Sequence, residues 1–173
     1  ERTGDIRSYK KDLVDLYVNR DQHSFSTQVT DLDNIQNPSI HSLLSSKYHE
    51  AQMHRLNIHA EIPDPVIHNY LTDLDLAVVL GHLMDNAIDG ARKASEGFIS
   101  LAYFDEEDCQ SFIIESTIAE EQVPLSMMST QLSHPEGVIG VNAVQDILER
   151  YPNTSFSVRS QNHKMMQILE MRP

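Results

Sequence analysis

The sequence predicts an α+β protein: a helical hairpin followed by an α/β sandwich with helices on one face of a mixed sheet. Three observations carry this. Residues 5–56 place apolar side chains three and four apart with few breakers, which is the helical period. From residue 58 onward, short alternating runs are bounded by turn residues in the order β-α-β-β-loop-α-β-β, a pattern that stacks helices on a sheet. The chain has 173 residues, 40% of them apolar, enough for one ordinary core plus an appendage. The expected division is therefore a hairpin over 1–57 and a sandwich over 58–173.

Taken in order, Ile6, Tyr9, Leu13, Leu16 and Tyr17 begin a narrow seam, which Phe25, Val29, Leu32 and Ile35 resume after a polar gap. A seam this narrow reads as one long helix of a bundle. Asn37-Pro38-Ser39 breaks it, and Pro38 suits the first turn of a second helix striped by Ile40, Leu43, Leu44, Tyr48, Ala51 and Leu56. The stripe Leu13, Leu16, Val29, Leu32, Leu43, Leu44 is too apolar to face water, so a homodimer through 5–56, closing a four-helix bundle, is expected. Ile58 to Ile62 alternates as a strand that Pro63-Asp64-Pro65 stops. Thr72 or Asp73 caps a helix running to about Ala94, with Leu76, Val79, Leu80, Leu83 and Ile88 inward. Phe98–Phe104 and Ser111–Ser116 form strands around an acidic turn, Asp105 to Asp108. Ala119 to Glu136 has no period and reads as a long functional loop. A helix over Ile139–Arg150 and strands over Ser155–Arg159 and Met165–Met171 close the chain.

Composition excludes several classes. With 13 basic against 26 acidic side chains the net charge is −13, and no Lys/Arg cluster exists to neutralise phosphates, so no nucleic-acid partner is expected. A single cysteine, Cys109, rules out an internal disulfide framework and a Cys-based zinc site. The longest purely apolar run, Leu76 to Leu80, falls far short of a bilayer span, and no signal-peptide pattern opens the chain. The expectation is a soluble, acidic, intracellular piece. The nine histidines lack helical metal-ligand spacing, and no glycine-flanked serine suggests a hydrolase elbow.

Chemistry concentrates in Leu80-Gly81-His82-Leu83-Met84-Asp85-Asn86-Ala87-Ile88-Asp89-Gly90-Ala91. His82 and Asn86 lie four apart and Asp89 three further, so they share one helical face. An Asn oxygen is a good Mg²⁺ ligand where phosphates complete the shell, and a His or acid one turn away can orient an attacking group. The same pattern is also compatible with the solvated face of an amphipathic helix.

This segment resembles the N box of the Bergerat-fold ATPases (gyrase, Hsp90, histidine kinase, MutL). It is most similar to the cytoplasmic transmitter of peptide-pheromone sensor histidine kinases of the AgrC and ComD type. Ser42-Leu43-Leu44-Ser45-Ser46-Lys47 with Ala51-Gln52 resembles their second dimerisation helix, and a strand ending in Glu61-Ile62-Pro63-Asp64 follows. Phe112-Ile113-Ile114-Glu115-Ser116 resembles the adenine-side strand. Gly137-Val138-Ile139-Gly140-Val141-Asn142-Ala143-Val144 resembles the glycine turn into the last helix, with Tyr151-Pro152-Asn153 after it. The resemblance implies a Bergerat-type sandwich, ATP and Mg²⁺ as cofactors, and phosphotransfer through a histidine to a response regulator. It also implies an upstream transmembrane sensor region, a place on the cytoplasmic side of the membrane, and quorum sensing as the setting. It gives Asn86 as the Mg²⁺ ligand, His82 and Asp85 as groups orienting the reaction, and Asp89, Ser116, Gly137 and Gly140 as nucleotide contacts.

The chain departs from the family at three places. Ser116 stands where the family has Asn, and Val138 replaces a glycine whose backbone would approach phosphates. In the phosphoacceptor string, Ile6-Arg7-Ser8-Tyr9-Lys10-Lys11-Asp12 aligns with Lys11 in the histidine's place, and an ammonium cannot act as the imidazole nucleophile. The other register, Arg20-Asp21-Gln22-His23-Ser24-Phe25, offers His23 and loses the Asp. Two readings follow: an active kinase region, or a catalytically degraded homologue serving as a dimeric signalling or interaction module.

Overall fold

The computed structural model describes residues 31–123 and 140–173, so the first part of the expected hairpin, with Lys11 and His23, and most of the long loop, with Gly137, lie outside the described residues. A 3-10 turn over Asp31–Asn34 leads into helix α1 (Pro38–Met53), strand β1 (Asn57–Glu61) and helix α2 (Asp73–Lys93). Strands β2 (Phe98–Glu106) and β3 (Cys109–Thr117), helix α3 (Gly140–Glu149) and strands β4 (Thr154–Gln161) and β5 (Lys164–Met171) follow. The five strands form one sheet in the order β1-β2-β3-β5-β4. β1 runs parallel to β2 and every other pairing is antiparallel, as expected of a mixed sheet.

Local chemistry explains the elements. Asn37 caps α1 by accepting from the amides of Ser39 at 2.9 Å and Ile40 at 3.2 Å, with Pro38 at the first helical position. Thr72 caps α2 by accepting from Asp75 N at 3.3 Å; Asp73 and Asp75 in its first turn and Arg92 and Lys93 in its last suit the helix dipole. β4 and β5 meet at Asn162-His163, both at positive φ, the geometry that matches a two-residue hairpin to strand twist. The acidic turn is shorter than expected, because Asp105 and Glu106 pair with Gln110 and Cys109 and only Glu107 and Asp108 turn.

All three helices stack on one face of the sheet through a single core that runs from Leu32 to Met171. α2 lies at its centre, burying Leu76, Val79, Leu80, Leu83, Met84, Ala87, Ile88 and Ala91. Two expectations are corrected here. The first helix does not continue to Ile35: Leu32 sits in the 3-10 turn, and Ile35 forms a parallel bridge with Val66. Leu32 and Ile35 are buried in this core, at 6% and 4% exposure. Nor does α1 keep its stripe for a second copy. Ile40, Leu44 and Ala51 are fully covered by the domain's own side chains, and Leu43 packs against the same cluster. Tyr48 closes the arrangement by donating its hydroxyl to Ile58 O at 3.2 Å. A position at 57/58 therefore marks no break in the core. The periodicity identified the buried face of α1; α2, not a partner helix, covers it.

Candidate functional site

At 100° per residue, the polar side of α2 turns from Asn86 through His82 and Asp89 to Asp85, an arc of about 100°. All four are half-buried. The arc is closed on either side by a different neighbour. Towards α1, Lys47 Nζ meets Asp85 Oδ1 at 2.5 Å and Glu50 Oε2 at 2.8 Å. Burial works to lower the ammonium's pKa, but the two carboxylates outweigh it and hold it above the ordinary lysine range. Lys47 is therefore shared between Asp85 and Glu50, while Asp89 faces Arg92 at 3.9 Å.

Towards the sheet, Asn86 Nδ2 donates to Gln167 Oε1 at 3.4 Å. Gln167, in β5, is buried to 1% exposure, and its Nε2 donates to Leu83 O at 3.1 Å. Ser116, at the end of β3 on the same helix-facing side, is fully buried, and its Oγ has no hydrogen-bond partner. Buried hydroxyls are normally satisfied, so an orphan beside a polar helix face marks room for a polar group. Above it, Gly90 brings α2 close to the sheet: a Cβ there would stand 3.0 Å from Ile118 Cγ2 and 3.4 Å from Thr117 O. Ile118, Val123 and Met165, with Val158 beside them, form a small apolar cluster at this corner, separate from the main core. The segment after β3 is pinned there, with Ile118 N donating to His163 O and Val123 N to Ser160 Oγ, both at 2.9 Å.

Of the expected site residues, His82, Asp85, Asn86 and Asp89 share the polar arc of α2, Ser116 lies on the sheet against Gly90, and Gly140 begins α3. Gln167 is missing from the sequence-based set; its signal was a lone amide inside Met165-Met166-Gln167-Ile168-Leu169. Tyr151-Pro152-Asn153 lies elsewhere and acts as a fastening. Tyr151 donates its hydroxyl to Asp75 Oδ2 at 2.6 Å, and Asn153 Nδ2 donates to Pro173 O at 2.6 Å. An open cavity of about 510 Å³ between Asp108, Pro152, Asn153, Ser155 and Arg172 lies at the opposite end of the sheet and includes none of the α2 residues. Among the described residues no group of three His, Cys, Asp or Glu side chains could hold a metal ion alone, so a cation at Asn86 would need ligands from its own partner molecule. Among the same residues no helix is long and apolar enough to cross a membrane.

Chemically, this side of α2 offers a neutral amide with two carboxylates further round the arc, a buried unpartnered hydroxyl on the sheet, and an apolar shelf. A magnesium-bound nucleotide would fit this chemistry, with Asn86 helping to hold the metal and Ser116 and the shelf bordering a base.

Comparison with known proteins places the domain and its fold. The sequence model of the GHKL domain matches residues 71–172. In fold the chain is similar to the catalytic domain of the histidine kinase ThkA, with a TM-score of 0.62 and 14% identity over 79% of this chain and 90% of that one. That span exceeds residues 71–172, so the likeness reaches upstream of them, towards α1. A mycobacterial sensor histidine kinase, MprB, gives a TM-score of 0.56 and 12% identity over 76% of this chain and 92% of that one. ThkA in complex with the response regulator protein TrrA gives 0.61 and 14% over 79% of this chain and 40% of that one. No curated protein sequence matches.

Proposed function

The chain belongs to the GHKL domain family, and from that premise we propose that it is the kinase region of a sensor histidine kinase of the pheromone-receptor type. In this reading it binds ATP with Mg²⁺ and passes phosphate by way of a histidine to a response regulator. The observation that carries the reading is the amide of Asn86, at the edge of the polar arc of α2 and anchored from behind by Gln167. The bound cation would neutralise phosphate charge. Asn86 Oδ1 holds it, His82 and Asp85 orient the reacting groups, and Asp89 supports that edge. Ser116 faces the base, and Gly137 and Gly140 let the turn into α3 approach the phosphates. A regulator partner is supported by the ThkA–TrrA complex, a fold relative. In this reading two copies pair through the segment 5–56, of which the described part, α1, buries its stripe within its own domain, and a membrane sensor is a further partner.

The test is incubation with radiolabelled ATP and Mg²⁺. Kinase activity gives an acid-labile, base-stable label; no label at millimolar ATP overturns it. Lys11 in the histidine's place, together with the hydroxyl of Ser116 where the family carries an amide, favours a second reading: a signalling module that binds nucleotide weakly and transfers nothing. Calorimetry separates the two, since a dissociation constant below about 100 μM, roughly 5.5 kcal/mol, speaks for a working site.

A further inference from the structure

We propose that Gln167 is a positioning residue that fixes which end of the Asn86 amide faces the cation, an inference that rests on the nucleotide-binding reading above. An asparagine side chain presents an oxygen on one side and an NH₂ on the other, and only the oxygen can ligate Mg²⁺. Nothing within an exposed Asn selects between the two orientations. Here the selection starts from a group that cannot turn over, the backbone carbonyl of Leu83. It only accepts, so the Gln167 amide must present Nε2 to it, at 3.1 Å. That choice aims Oε1 at Asn86, at 3.4 Å, and Asn86 must answer with Nδ2. Oδ1 is then left on the far side, on the arc shared with His82 and Asp89.

A buried amide is costly unless both its ends are satisfied, and Gln167 has 1% exposure. Its neighbours Met165, Met166 and Leu169 are apolar, so packing alone would be served as well by methionine at this position. The polarity at 167 is accounted for by the relay it completes. Partners that orient a metal ligand from behind typically govern metal affinity by ten- to a hundredfold.

Two substitutions separate orientation from structure. Gln167→Met keeps the volume and removes both bonds. The expected result is a thermal midpoint near wild type, but about tenfold more Mg²⁺ needed for half-maximal affinity of a non-hydrolysable ATP analogue, with Mg²⁺-free affinity within twofold of wild type. Gln167→Glu still accepts from Asn86 and sets a carboxylate against the Leu83 carbonyl. It is expected to lower the midpoint while requiring no more Mg²⁺ than wild type. A purely structural role predicts the reverse, with Mg²⁺ dependence following stability in both variants, and that result overturns the proposal.

A second readout needs no nucleotide. In nitrogen-15 spectra of the free protein, the side-chain NH₂ of Asn86, assigned by its absence in Asn86→Asp, should exchange with solvent at least tenfold faster in Gln167→Met than in wild type. Equal exchange overturns the relay. If wild type binds no nucleotide with or without Mg²⁺ while this difference in exchange is present, the proposed function fails and the relay stands.

Discussion

Helix α2 carries two polar clusters, and they are built in opposite ways. At its N-terminal end, Asp75 is closed off: Arg150 Nη2 donates to Oδ1 at 2.8 Å and the Tyr151 hydroxyl to Oδ2 at 2.6 Å, while Thr72 N donates to the Tyr151 oxygen at 3.2 Å. In its C-terminal half, Asn86 has one long bond of 3.4 Å and Ser116 Oγ has none. Short, complete bonding stabilises a fold; a cluster with vacant bonding capacity is shaped for something else to complete it. The first cluster fastens α3 to α2, and the second, shared with β3, is the one proposed above to take a ligand.

Four substitutions break or sharpen that contrast. Asn86→Ala should cost the largest effect, at least 100-fold in Mg²⁺-dependent nucleotide affinity, or about 2.7 kcal/mol. Its stability should fall by only about 1 kcal/mol, through the Gln167 Oε1 left without its donor, which calorimetry and melting measure side by side. Asp75→Ala should do the reverse, losing about 2 kcal/mol of stability in urea titration, because it strands the Tyr151 hydroxyl and the Arg150 guanidinium. The Tyr151 hydroxyl foremost, with Thr72 and Arg150, holds the Asp75 carboxyl below the usual range against the opposing effect of burial. A depressed folded-state value means that this stabilisation is complete above the unfolded value, near pH 4, and disappears as pH falls through the folded one. Wild type should therefore lose stability below about pH 4 more steeply than Asp75→Ala.

Gly90→Ala comes third. The added Cβ at 3.0 Å from Ile118 Cγ2 needs that side chain to give by a few tenths of an ångström, which offsets the helix gain of about 1 kcal/mol, and should weaken nucleotide binding measured by calorimetry. Ser116→Ala is the smallest: removing an unbonded buried hydroxyl should leave stability within about 0.5 kcal/mol or raise it slightly. A loss of 2 kcal/mol there, read from the urea midpoint, would mean that the hydroxyl is satisfied after all and that the two clusters are not different in kind.

Much of this was legible in the amino acids. The cap and acidic first turn located α2, and the spacing of His82, Asn86 and Asp89 located the polar arc, because both are local patterns of one helix. The β2–β3 and β4–β5 pairs were legible from alternation and turn residues. Periodicity exposed the stripe of α1 as well, yet a stripe says only that a face is buried, and Leu44 could meet a second copy or α2 equally well. Gln167 was hidden for a related reason: a lone amide in an apolar strand is indistinguishable from an edge position until Leu83 and Asn86, more than eighty residues away, are brought opposite it. Tyr151-Pro152-Asn153 stood out as a motif, but its partner Asp75 is 76 residues upstream, and no sequence pattern links the two.

The bridge between Ile35 and Val66 has a mechanical consequence. Two amide bonds, Gln36 N to Val66 O at 3.0 Å and Val66 N to Asn34 O at 2.9 Å, rivet the entering chain to the segment just ahead of α2. A pull or twist delivered at Asp31 meets this rivet before it reaches α1, so the load passes sideways to Val66 and, six residues on, to the cap at Thr72. A load entering at Asp31 would therefore be shared with the approach to α2 before it reached α1, which carries Lys47.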